Sequence, residues 1–169
     1  MGTGTTPELY VRPFTRVDVA PANRVTNHYI RHTAVHFGTE PASDEEFEAG
    51  WLEGREQYPW LAAEVGNQFA GYAKAYQWRS REAYRRTAEV GIYVDPSFQR
   101  RGVGKALYAE LIRACRGMGF RTLVAGIALP NEGSVRLHES CGFVHVGTFQ
   151  AVGRKFEEWH DVGFWQLML

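Results

Sequence analysis

The stretch Thr87-Ala88-Glu89-Val90-Gly91-Ile92-Tyr93-Val94-Asp95-Pro96-Ser97-Phe98-Gln99-Arg100-Arg101-Gly102-Val103-Gly104 decides the fold. Val90, Ile92 and Val94 alternate with Glu89, Gly91 and Tyr93, the period of two that a strand requires. Pro96 ends the strand in a loop. From Val103 the period changes. Val103, Leu107, Leu111, Ala114 and Met118 recur three and four apart, which predicts a helix with one apolar face, and Gly117 and Gly119 offer its stop. A helix start holds N–H groups without intrahelical partners at the positive end of the helix dipole. With no side chains on Gly102 and Gly104 to keep an anion away, the turn predicts a phosphate cradle fed by a strand.

Three templates compete for this turn. A P-loop needs Gly where Gln99 stands and a hydroxyl where Ala106 stands. A dinucleotide fold needs a third Gly where the chain has Leu107. The plain alternative is a strand–turn–helix whose glycines serve only the turn, and Gly-x-Gly alone favours it. The longer run Gln99-Arg100-Arg101-Gly102-Val103-Gly104 resembles the acetyl-CoA pyrophosphate motif of the GCN5-related N-acetyltransferases. The run from Asn131-Glu132-Gly133-Ser134 to Gly142-Phe143 is similar to that family's second signature, in the right order. The resemblance implies an α/β fold with a mixed, mostly antiparallel twisted sheet flanked by helices.

The rest of the chain fits one domain over residues 8–169, with 1–7 expected to be a flexible N-terminus. Tyr10-Val11-Arg12 predicts a first strand, and residues 17–31 a helix with Pro21 near its start. Ser43-Asp44-Glu45-Glu46 has capping-box spacing, and Phe47, Trp51 and Tyr58 extend an amphipathic helix to Pro59. Residues 60–65 and 68–76 are expected to be strands joined at Gly66-Asn67. Residues 122–128 form a buried strand stopping at Pro130, after which Ser134 caps a short helix ended by Gly142. Residues 143–150 and 162–169 give the last two strands. Strands alternating with helices, closed by an antiparallel pair, make an α/β sandwich.

Lys plus Arg and Asp plus Glu both total 19, so net charge argues for neither nucleic acid nor an anionic membrane. No apolar run approaches the roughly 18 residues of a membrane span, and the N-terminus lacks the basic-then-apolar pattern of a signal peptide. Cys115 and Cys141 have neither metal nor disulfide spacing and suit a reducing cytoplasm. His28, His32 and His36 stand four apart and would stack on one helix face, but no carboxylate sits among them, so no metal is expected.

Four segments narrow the resemblance to the phosphinothricin and methionine-sulfoximine acetyltransferase branch. They are Asn27-His28-Tyr29-Ile30, Tyr58-Pro59-Trp60-Leu61, the run from Leu129-Pro130-Asn131 to His138-Glu139, and Trp159-His160-Asp161-Val162-Gly163-Phe164-Trp165-Gln166. The branch implies transfer of acetyl from acetyl-CoA to the α-amino group of a small glutamate- or methionine-like molecule, by a homodimer. An ammonium has no lone pair, so the reaction needs a base. Glu89 matches the branch's catalytic Glu, acting directly or through a water. Its plain alternative is a surface carboxylate. His138 stands where the wider family often has Tyr. Donation to the thiolate and simple helix packing are both open for it.

The resemblance assigns the cofactor to Ile92, Tyr93 and Val94 on the strand, to Gln99, Arg100, Arg101, Gly102, Val103, Gly104 and Lys105 at the turn, and to Asn131 and Ser134. The backbone N–H of Ile92 or Val94 is the candidate to polarise the thioester carbonyl. Asn131 is expected to bond the pantetheine amides. Thr33, Phe37, Arg81 and Tyr84 are carried over as substrate contacts. Val90-Gly91, where the branch has small hydroxyl residues, and His36, where it has Asn, depart from the pattern and put the acceptor's identity in doubt. A protein N-terminus or polyamine as acceptor would call for an acidic groove, against which the Arg-rich segment 79–86 speaks. A CoA-binding module without catalysis is opposed by the presence of Glu89 and His138.

Overall fold

The computed structural model describes residues 8–169; the N-terminal stretch 1–7, expected to be flexible, lies outside them. Seven strands form one sheet in the order β1-β2-β3-β4-β5-β7-β6. They are β1 Leu9–Pro13, β2 Trp60–Val65, β3 Gln68–Gln77, β4 Thr87–Val94, β5 Thr122–Leu129, β6 Val144–Lys155 and β7 Glu158–Met168. The helices are α1 Val19–His32, α2 Asp44–Gly54, α3 Val103–Gly117 and α4 Glu132–Ser140. Every neighbouring pair is antiparallel except β4 and β5, which α3 joins as a crossover.

The two sheet faces bury different chemistry. On one, α3 sets Val103, Leu107, Tyr108, Leu111 and Cys115 against Ala73, Ala75, Ala88 and Val90, small side chains that let the helix approach closely. On the other, α1 and α2 cover an aromatic cluster of Phe14, Trp51 and Tyr72, with Trp60, Phe47 and Tyr93 around it. Arg12 on β1 bridges the buried Asp18 and Glu64, tying the entry to α1 onto the sheet.

Several expectations need correction. The apolar face of α3 passes through fully buried Cys115, leaving Met118 exposed beyond the helix end. The capping box at Ser43 forms, but α2 stops at Gly54, whose carbonyl receives the N–H groups of Gln57 and Tyr58; Tyr58 lies outside the helix and stacks on Phe120. The cap of α4 is Asn131, whose side chain accepts the Ser134 N–H; Ser134 is inside the first turn. Strands β6 and β7 run several residues further toward each other than expected. Register shifts near Gly147 and Gly153 absorb the irregularity, and Phe156 and Glu157 turn the hairpin at positive φ without the usual Asn-Gly signal. α1 ends at His32, so His36 leaves the stack with His28 and His32, and no group of three metal-ligating side chains forms among the described residues.

Candidate active site

β4 pairs with β3 from Ala88 to Val94, whereas its parallel pairing to β5 covers only Thr87, Ala88 and Glu89. β5 meanwhile stays on β7 out to Leu129. The sheet therefore opens into a slot beyond Glu89. The Asp95 N–H bonds to the Ala70 carbonyl, so along β4 the odd-numbered residues exchange hydrogen bonds with β3. Ile92 and Val94 turn their backbone groups into the slot, and the Val94 carbonyl is met there by the Tyr29 hydroxyl at 2.6 Å. These are the N–H groups that sequence reasoning nominated.

A groove of about 550 Å³ runs from the slot to the start of α3, lined by Ile92, Val94, Gln99, Arg100, Gly102, Val103, Gly104, Lys105, Asn131 and Ser134 among others. Gly102 caps α3 in the left-handed region at φ 82°, and Arg100 also has positive φ at 58°. Such alternation turns successive N–H groups inward as an anion nest, here under the positive end of a 15-residue helix. A Cβ at Gly102 would meet nothing, so backbone conformation is what calls for glycine there. Gly104 lines the groove as well, and its missing Cβ leaves room for Leu137 of α4, which a side chain would approach to 2.9 Å, so this glycine also serves helix packing.

Three further cofactor expectations need refining. Tyr93 packs its ring toward the aromatic face, against Tyr72 and Tyr29, because side chains alternate along a strand. The Arg101 guanidinium lies over the Phe98 ring, 5.4 Å from its centroid, and not in the groove. The Gln99 amide donates to the Tyr29 hydroxyl at 2.9 Å, so it braces the loop against α1.

Glu89 sits at the mouth of the slot on the aromatic face. A Cβ at Gly126 of β5 would lie 3.6 Å from its carboxylate. Burial raises its pKa; the Tyr76 hydroxyl and the charges of Arg79 and Lys74 oppose that without cancelling it. A small cavity of about 60 Å³ lies between β4 and β5, bordered by Tyr76, Gly91, Tyr108, Gly126 and His138, and shares Ile92, Asn131 and Ser134 with the groove.

His138 is buried and burial lowers its pKa, so it is neutral. Its Nδ1 lies 2.7 Å from the Ser134 carbonyl, which can only accept, so the proton is on Nδ1. Nε2 then accepts from the Tyr108 hydroxyl at 2.6 Å. Both ring nitrogens are engaged. Tyr108 escaped sequence reasoning because its position in the helix reads as ordinary core.

The four carried-over substrate residues are not gathered in one chain. Thr33 ends α1, its hydroxyl donating to the Tyr29 carbonyl at 2.8 Å. Phe37 lies on Gly153, where a Cβ would overlap its ring. Arg81 and Tyr84 line a separate surface cavity of about 270 Å³ beside β3. Sequence reasoning also passed over Lys74 and Tyr76, which share the face of Glu89.

Residues 23–143 match the model of the Acetyltransferase (GNAT) family. The chain belongs to the GNAT acetyltransferase family. The GNAT fold accounts for the mixed sheet and the cradle at α3. The chain is 44% identical over 156 residues to phosphinothricin N-acetyltransferase from Streptomyces viridochromogenes, covering 92% of this chain and 85% of that one. It is 36% identical over 163 residues to the L-methionine sulfoximine/L-methionine sulfone acetyltransferase of Salmonella typhimurium, covering 95% of each. Among solved GNAT structures, the phosphinothricin acetyltransferase of Sinorhizobium meliloti in complex with acetyl-CoA superposes with a TM-score of 0.92. It is 29% identical, over 95% of this chain and 88% of that one.

Proposed function

We propose that the protein transfers the acetyl group of acetyl-CoA to the α-amino group of a small amino-acid-like acceptor of the phosphinothricin, methionine sulfoximine or methionine sulfone type. One observation carries the reading: a half-buried Glu89 with a raised pKa stands at the slot beside the strand N–H groups turned into it, at the end of a groove leading to the α3 anion nest. The groove residues fit the cofactor. The nest and Lys105 suit a pyrophosphate, and Asn131, whose Oδ1 is used in capping α4, keeps its Nδ2–H₂ for the pantetheine.

Bound acetyl-CoA supplies the thioester carbonyl as the electrophile. The Ile92 or Val94 N–H stabilises the charge that develops on its oxygen. Glu89 takes a proton from the acceptor's ammonium, directly or through a water, freeing the lone pair for attack; its raised pKa makes it a better base near neutrality. Tyr108 borders the small cavity with its hydroxyl donating to neutral His138 Nε2; turned from that nitrogen toward the cavity, the same O–H is the candidate donor for the departing thiolate, and His138 is then a positioning residue. The rate should rise with pH through the Glu89 pKa, because only the ionised carboxylate accepts a proton. That limb should lie above the ordinary carboxylate range.

The protein works as a homodimer in the cytoplasm. β6 is a sheet edge carrying Val144, Val146, Phe149 and Val152 more than half exposed, a surface that a second copy would cover. Light scattering should give twice the chain mass. Among the described residues no helix is long and apolar enough to cross a membrane, and both cysteines are free thiols.

Thiol release from acetyl-CoA, measured against phosphinothricin, methionine sulfoximine, methionine sulfone and common amino acids, tests the activity. Turnover on the first three is expected. Acetyl-CoA binding with no turnover on any acceptor would overturn the reading.

A further inference from the structure

On the acceptor face, partly buried Lys74 of β3 is set apart from the buried amine of Lys155. Lys155 is committed: its ammonium donates to the carbonyls of Ile30 at 2.7 Å and His36 at 2.5 Å, holding the end of α1 to the loop after it. Lys74 has no such partners among the described residues. Its ammonium lies over the ring of Trp60, 4.5 Å from the centroid, and 5.3 Å from that of Tyr76. Aromatic faces stabilise a cation without neutralising it. The residue is only partly buried, and its Nζ is not among the enclosed unpaired polar atoms, so the ammonium keeps an opening to solvent.

Its surroundings point into the acceptor space. Lys74 is paired across the sheet with Gly91, and Tyr76 with Glu89, so Lys74 and Glu89 are diagonal neighbours on one face. Diagonal positions stand roughly 7–8 Å apart at the backbone, and the Lys74 charge acts on the Glu89 carboxylate, so one small acceptor can face both side chains. Glycine at 91 leaves the space between them open: a Cβ there would only touch Lys74 at 3.9 Å, Tyr76 and Tyr93. His36 adds no charge to this side. Burial, with Lys74 and Lys155 nearby, lowers its pKa to about 4, and its Nδ1 accepts the Gly38 N–H. Arg79, the other cation acting on Glu89, is exposed and stacked on Trp78 at 4.4 Å, toward the opposite end of the carboxylate's strand.

We propose that Lys74 is a specificity-determining residue that binds the anionic end of the acceptor's side chain while Glu89 receives its α-amine, so that the enzyme prefers acceptors with an acidic side-chain end over neutral isosteres. This rests on the acetyl-acceptor reading above. A partly desolvated ammonium between two rings gains most from a ligand that brings its own negative charge, because the charged hydrogen bond forms where water competes least. A neutral sulfone oxygen gains much less.

The experiment compares phosphinothricin, with an anionic phosphinate, and methionine sulfone, which is neutral at that end, in the parent, Lys74→Met and Lys74→Arg proteins. Lys74→Met should raise KM for phosphinothricin roughly 10- to 100-fold, the scale of a hydrogen bond to a charged group, and change KM for the sulfone only a few-fold. Its KM for acetyl-CoA should stay at the parental value. Lys74→Arg should keep the preference for the anion. An equal loss on both acceptors, or no loss on either, overturns the assignment of Lys74 while leaving the activity standing. Absence of turnover by the parent on both acceptors instead overturns the acetyltransfer reading and this inference with it. If Lys74→Met fails to fold, the Lys74→Arg protein decides: loss of the anion preference in a folded, acetyl-CoA-binding protein refutes the proposal.

Discussion

The two sides of the sheet build their sites from different materials. On the α3 side the cofactor groove is made largely of backbone: a left-handed Gly102, the first N–H groups of α3, and the Ile92 and Val94 amides that β4 turns away from β3. On the α1 and α2 side the acceptor region is made of side chains brought from distant segments: Lys74 and Tyr76 from β3, Glu89 from β4, His36 from the loop after α1 and Phe164 from β7 beyond Gly126. Backbone geometry tolerates many side chains and is fixed by a few glycines. A site of side chains changes its chemistry with each substitution. A family can therefore hold one cofactor while its acceptors differ.

The division can be broken experimentally, and Glu89→Gln should do most. Removing a positioned base costs about 10²- to 10⁴-fold in kcat, and acetyl-CoA affinity, measured by calorimetry, should be unchanged. Gly102→Val comes next and acts on the other side. Forcing a β-branched residue to positive φ costs about 1–3 kcal/mol, so acetyl-CoA should bind roughly 10- to 100-fold more weakly while acceptor KM at saturating cofactor holds. Tyr108→Phe, between the two sides, leaves His138 Nε2 without its donor. The loss of a buried hydrogen bond, about 1–3 kcal/mol, should show in kcat and in the melting temperature, with both KM values little changed. Gly91→Ala should do least. Its methyl meets only ordinary contacts, so the expected result is a few-fold rise in acceptor KM with unchanged cofactor binding.

The same division explains what could be read from the sequence. Strand β4, the cradle and α3 are contiguous, and local periodicity with two glycines sufficed to place them. Gly104 shows the limit: its packing role is set by Leu137, which lies 33 residues on and across a helix contact that spacing does not reveal. Tyr108 looked like core because it is core; only the His138 ring packed on it from α4 makes it chemical. Lys74 sits in a strand as one polar residue among apolar ones, an unremarked position until β2 brings Trp60 beneath it. The over-short β6 and β7 have a local cause. Ala151, Phe156 and Glu157 adopt positive φ without being glycine, so the turn and the irregularity left no trace in composition.

The slot between β4 and β5 has a kinetic consequence. The groove and the small cavity between β4 and β5 share Val35, Ile92, Asn131 and Ser134 at that gap while the rest of their linings differ, so neither ligand has to leave for the other to enter. Both can be held at once, and the acetyl group can pass through the gap without ever resting on the protein. Initial rates should then give double-reciprocal lines that intersect, as a ternary complex requires, and not the parallel lines of an enzyme that is itself acylated midway.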